Sequence, residues 1–271
     1  MNKSQTGLII ALAMLFPTLS FMNTNQAAPG LKEQEITYTS EGKNFRGFVV
    51  YDENITGKRP AILVIPEWWG MNEYTRSRAR QLAGLGYIAM AVDVFGDGKI
   101  AANPQEAQEL TKPFYSDPEL GKTRVEAALK KLETFPQADA ANAAAIGYCF
   151  GGNLVLNCAK LGVGFKGVVS FHGGLGGAPV SKPLLKAKIL VCNGGSDKFV
   201  SPESITAFRH AMDSIGADYT FKSYPNATHA FTNPESTSNG KKFNMPIEYN
   251  PAADKASWKD MEDFFNRLFR K

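Results

Sequence analysis

Five short, almost uninterrupted apolar runs constrain this chain more than anything else in it. They cover residues 61–65, 87–92, 143–148, 166–171 and 188–191. A strand with one face in water alternates polar and apolar residues, whereas a run that is apolar throughout must be covered on both faces. Between the runs lie stretches of helical periodicity at 72–85, 117–135, 151–161 and 202–215. A closing stretch at 254–269 puts Trp258, Met261, Phe264, Phe265 and Leu268 on one side. Strand alternating with helix predicts a mostly parallel sheet with helices on both faces. Residues 35–39 and 46–51 alternate in polarity around a turn at 41–44 and predict an antiparallel hairpin. Residues 219–224 also alternate and are expected at an edge. The total is about eight strands. In such a sheet, chemistry gathers beyond the carboxyl ends of the strands.

The run at 143–148 ends in Gly147-Tyr148-Cys149-Phe150-Gly151-Gly152, just before a helical stretch. This is G-x-C-x-G, the cysteine form of the nucleophile elbow of the α/β-hydrolase fold. A nucleophile on a tight strand-to-helix turn is pushed out of the sheet on strained backbone, and glycines on either side avoid a clash. The helix N-terminus favours negative charge on the sulfur, and the backbone N–H of Phe150 can bind a developing oxyanion. Asp197 follows the run at 188–191, and His229 follows the last strand. Nucleophile, acid and base then stand in the chain order this fold uses, with His229 as base and Asp197 holding its tautomer. Each residue also has a plainer reading: Cys149 as a small buried hydrophobe, Asp197 as a helix cap, His229 as a loop residue. Pro66-Glu67-Trp68-Trp69-Gly70 follows the first parallel run, where the second oxyanion donor of this fold sits, which marks the Trp68 N–H. Glu67 is unusual there, because a carboxylate beside an oxyanion hole repels the intermediate unless it is neutral or turned away.

With these residues in place, the sequence resembles the dienelactone hydrolase family over roughly 31–271. The likeness rests on 66–70 with Asn72, 85–87, 93–96, the elbow at 147–152, 195–197, His229-Ala230-Phe231, and 249–253 with Trp258. The resemblance implies a hydrolase of esters or lactones that forms a cysteine acyl-enzyme. It also implies that Glu67 restrains the resting thiol until substrate displaces the carboxylate. Such gating protects a thiol that would otherwise be open to oxidation. The chain departs from the family where its dienelactone-cleaving members carry two arginines for the substrate carboxylate. Asn233 stands at one of these positions, and Gly96-Asp97 at the other. Loss of two bidentate partners costs several kcal/mol of anion binding. A substrate other than dienelactone is therefore expected, with Lys99 or Lys198 as partial replacements.

Composition narrows the alternatives. The 271 residues carry 30 Lys and Arg against 26 Asp and Glu, a net +4 that is scattered along the chain, which gives nucleic-acid binding little support. The start of the chain reads as a signal peptide over residues 1–28: Lys3, an apolar run at 7–16 broken by Pro17, then Ala27 and Ala28. Its removal takes one lysine and no acid and leaves 4 − 1 = +3. A periplasmic or secreted protein with no stable membrane span is expected, with an uncleaved anchor as the alternative. No metal-ligand spacing or CxxC pair appears among Cys149, Cys158 and Cys192, so neither metal nor cofactor is expected. A thiol peroxidase is disfavoured on the same ground. The main rival is a non-catalytic small-molecule binding protein that keeps the pocket. His172 is read as either pocket-lining or packed, His210 as a surface or structural residue, and Cys158 and Cys192 as packing residues. The stretch 232–249 is read as a lid or a long surface connection. The oligomeric state is left open.

Overall fold

The computed structural model describes residues 30–269, so the expected signal peptide lies outside the described residues. The strands are β1 (Leu31–Ser40), β2 (Lys43–Asp52), β3 (Arg59–Ile65), β4 (Ile88–Val92), β5 (Ala138–Tyr148), β6 (Gly167–Phe171), β7 (Lys188–Gly194) and β8 (Tyr219–Tyr224). The helices are α1 (Glu73–Gly84), α2 (Pro104–Ser116), α3 (Pro118–Glu133), α4 (Phe150–Lys160), α5 (Pro202–Ser214), α6 (Ser236–Phe243) and α7 (Pro251–Leu268). All eight strands form one sheet in the order β1-β2-β4-β3-β5-β6-β7-β8. β1 and β2 pair antiparallel, and β2 runs antiparallel to β4. From β4 to β8 every pairing is parallel. This is the α/β-hydrolase fold, with the hairpin at one edge and the alternating strand at the other, as the sequence pattern predicts.

The apolar runs are covered on both sides. Leu63 and Ile65 of β3 face one core with Val125, Leu129 and Leu132 of α3, Val155 of α4, and Phe208 and Met212 of α5. Ile62 and Val64 face the other core with Ala79 and Leu82 of α1 and Met261, Phe264 and Phe265 of α7. Each fully buried side chain of this size contributes about 1.5–3 kcal/mol, so the two-sided pattern holds the sheet's register against a one-residue slip.

Two helices go beyond the sequence reading. α6 occupies part of the stretch read as a lid or connection. α2 lies outside the helical stretches that the periodicity predicts, although it carries a start signal: Asn103 accepts from the Glu106 N–H at 3.0 Å, Pro104 opens the helix, and Glu106 accepts from the Ala102 N–H at 3.0 Å. Among the described residues no helix is long and apolar enough to cross a membrane.

Candidate active site

β5 delivers the chain into Cys149 at φ 52° and ψ −114°, a conformation that L-residues rarely adopt. The turn needs Gly147 and Gly151. A Cβ on Gly147 would lie 2.1 Å from the Gly151 carbonyl oxygen, and one on Gly151 would lie 2.4 Å from that of Ile65. Cys149 makes no side-chain capping bond to α4. Its Sγ instead sits 3.0 Å from Nε2 of His229, whose Nδ1 is 2.9 Å from Oδ2 of Asp197. Three strand ends far apart in sequence are thereby joined by one chain of hydrogen bonds. The Asp197 side chain is fully shielded from solvent, and its other oxygen accepts from the Phe199 N–H at 2.8 Å. Asp197 is therefore no helix cap; Ser201 caps α5. Burial opposes a charged imidazole, but the Cys149 sulfur and the Asp197 carboxylate outweigh it and hold His229 up at about 10.

Glu67 and Trp68 leave the end of β3 beside the same site. The Glu67 side chain is buried, and its Oε2 accepts from Asn233 Nδ2 at 2.7 Å. The thiol is thus bonded to His229, while Glu67 is bonded to Asn233, one of the residues that stands where the family's arginines would be. Burial pushes Glu67 up to about 7; the Asn233 bond and the positive charges of His229 and Arg78 offset only part of that rise. The Trp68 and Phe150 N–H groups are taken up by no other backbone bond among the described residues.

The raised Glu67 has a consequence for stability. The native state binds this proton more tightly than the unfolded chain, so stability is lost as pH rises from 4.5 through about 7. Glu67→Gln keeps an acceptor for Asn233 and never ionises. The variant is expected to exceed the wild type by about 3 kcal/mol near pH 8, and to match it closely near pH 5. Urea unfolding at the two pH values checks this, and a difference that is the same at both would show that Glu67 ionisation is not its source.

The site opens into a cavity of about 310 Å³. Trp68, Trp69, Tyr115, Phe150, Phe199 and Ile247 give it apolar walls, and Gln108, Thr111, Asn233, Ser236 and Asn239 supply polar groups. Several of these come from α2 and α6, so the stretch read as a lid or surface connection forms part of the cavity wall, with Phe243 of α6 against Trp69 at 5.8 Å between ring centroids. Among the described residues no lysine or arginine lines the cavity. Lys99 does not replace the missing arginines, because it pairs with Glu106 at 3.5 Å outside the cavity; Lys198 also lies off its wall. His172 is fully buried behind the wall rather than on it, and His210 is exposed on α5. Cys158 and Cys192 are buried free thiols, pushed up by burial. No cluster of three or more His, Cys, Asp or Glu side chains suited to a metal ion occurs among the described residues.

The dienelactone hydrolase family model matches residues 45–269, most of the chain. The chain belongs to the dienelactone hydrolase family. It is a hydrolase of that family, and its solved relatives agree in shape. A dienelactone hydrolase-like promiscuous phosphotriesterase, P91 from metagenomic libraries, shares 31% identity and a TM-score of 0.83, over 89% of this chain and 100% of its own. For m3DLH the values are 34% and 0.84, over 89% and 100%. A curated relative from Methylorubrum extorquens, named "Putative carboxymethylenebutenolidase", is 28% identical over 78% of this chain and 73% of its own.

Proposed function

We propose that the protein hydrolyses an uncharged carboxylic ester or lactone through a cysteine acyl-enzyme. The observation that carries this reading is the hydrogen-bond chain from Cys149 Sγ through His229 to Asp197 at the mouth of an apolar cavity. In the resting site His229 holds the thiol proton on Nε2 as an imidazolium, in keeping with its raised position at about 10, and the sulfur attacks the carbonyl carbon. The oxyanion forms against the N–H groups of Phe150 and Trp68. As the intermediate collapses, His229 returns the proton to the leaving oxygen and a thioester remains on Cys149. His229 then takes a proton from water, whose oxygen attacks the thioester, and the acid departs with the resting pair restored. Asp197 accepts from Nδ1–H throughout and keeps Nε2 free to work as the base.

The cavity wall supports a neutral substrate. A carboxylate carried into a site without a cationic partner forfeits its hydration and gains no ion pair. Glu67, turned to Asn233 and pushed up by burial toward its neutral form, repels the oxyanion less than a free carboxylate would. The family's gating role for Glu67 carries over in altered form, with Asn233 as its holding partner. The signal peptide expected over residues 1–28 would place this catalysis outside the cytoplasm.

Rapid mixing with p-nitrophenyl acetate and with the anionic p-nitrophenyl hemisuccinate tests the reading. The acetate ester is expected to give a burst of p-nitrophenol matching the number of sites, with the acetyl group found on the Cys149 peptide. The hemisuccinate is expected to acylate at least about tenfold more slowly. Binding without any acylation would favour the non-catalytic reading, and faster reaction of the anion would overturn the neutral-substrate assignment.

A further inference from the structure

We propose that His172 is a positioning residue that sets the gap between Cys149 and His229, by hydrogen bonding the nucleophile's turn with one ring nitrogen and the base's loop with the other. The inference rests on the Cys149–His229 pairing proposed above. β6 ends at Phe171, opposite Tyr148 at the end of β5, so the next residue of each strand enters the site side by side. His172 Nδ1 lies 3.0 Å from the backbone N of Cys149. An N–H can only donate, so Nδ1 carries no proton and the ring proton resides on Nε2. Nε2 lies 2.8 Å from Thr232 Oγ1, and that bond runs from His172 to the threonine.

Thr232 is three residues beyond His229, so one buried imidazole spans the two loops whose spacing fixes the Sγ–Nε2 distance. The far end of the bridge is itself anchored. Thr232 Oγ1 is 2.6 Å from the Tyr74 hydroxyl, and the Thr232 carbonyl accepts from Arg78 at 2.7 Å. Arg78 also pairs with Asp254 at 2.6 Å. The near end is strained on both sides, with φ of 52° at Cys149 and 41° at His172. Such backbone persists when its surroundings over-determine it, and the Cys149 N–H is held twice, by His172 Nδ1 and by the Phe171 carbonyl at 3.0 Å. The His172 ring also packs edge-on against His229 at 5.3 Å between centroids. Burial and the charges of His229 and Arg78 keep His172 neutral, which preserves the acceptor on Nδ1.

Three substitutions separate the two bonds. His172→Asn retains an acceptor near Nδ1 and loses the reach to Thr232. His172→Gln retains a donor near Nε2 and loses the acceptor for Cys149. His172→Phe keeps the ring volume and loses both. The readouts are kcat and KM with p-nitrophenyl acetate, the rate of Cys149 alkylation by iodoacetamide in substrate-free protein, and the melting temperature. Asn and Gln are each expected to lower kcat and the alkylation rate about tenfold, and Phe about a hundredfold, with KM within about twofold of wild type. The proposal is overturned if folded Asn and Gln variants alkylate and turn over at the wild-type rate, whether or not the Phe variant folds. A drop in melting temperature without a change in alkylation would likewise mark His172 as purely structural. Alkylation needs no ester: if it falls in the variants while the wild type shows no burst, the positioning role stands and the hydrolase reading fails.

Discussion

Replacing Cys149 with alanine is expected to reduce p-nitrophenyl acetate turnover to background, and His229→Gln to lower kcat/KM by about a thousand- to ten-thousand-fold. In the proposed mechanism the sulfur forms the bond that splits one hard acyl transfer into two easier ones, so without it no thioester can accumulate. Glutamine at 229 fills much of the space of the imidazole but cannot accept the thiol proton. It also breaks the bond to Asp197, leaving that shielded carboxylate with only the Phe199 N–H. Because the proposed mechanism has the two residues act as one unit, the double variant is expected to be no worse than Cys149→Ala alone. Iodoacetamide adds an independent measure, since His229→Gln should slow alkylation of Cys149 in the absence of ester. A His229→Gln enzyme within tenfold of wild type would show that the bond at 3.0 Å is not the route of the proton.

The parallel sheet and the strand-end residues were readable because each follows from strong local constraints. A run such as 61–65 is apolar on both faces, and only an interior strand satisfies it. The elbow is written in two glycines that the backbone cannot do without. Asp197 and His229 follow once the order of strands is known, since each lies a few residues beyond one. The walls of the cavity were harder to see. α2 and α6 are amphipathic stretches of modest apolar content, and what fixes them is packing: Trp69 receives Phe243, and Tyr115 lies edge-on against Phe150. Such contacts between distant segments leave no period in the sequence.

His172 shows the same limit at the scale of one side chain. Its place just past a strand was visible, but a residue in that position can face the pocket or the interior, and a twist of backbone at φ 41° decides which. In the sequence Asn233 stands out for what it lacks, a guanidinium for a substrate carboxylate. Its positive role, a hydrogen bond to Glu67 at 2.7 Å, depends on burial that no spacing rule conveys.

Gly151→Ala is expected to destabilise the protein by more than about 4 kcal/mol, enough to leave little folded material. The added Cβ would meet the carbonyl oxygens of Ile65 at 2.4 Å and Pro66 at 2.5 Å. Both belong to the end of β3 and the turn into Glu67, which cannot recede without breaking the pairing of β3 with β5. Gly84→Ala supplies the control: the position is helical and open, with nothing within 4 Å of the new carbon, and a gain of up to about 1 kcal/mol is expected there. Urea unfolding of the two variants distinguishes a clash from a general intolerance of added side chains. Equal stability would mean that the elbow can shift outward. The gap between Cys149 and the Trp68 N–H would then be adjustable, and the oxyanion site would lose the rigidity on which the proposed mechanism depends.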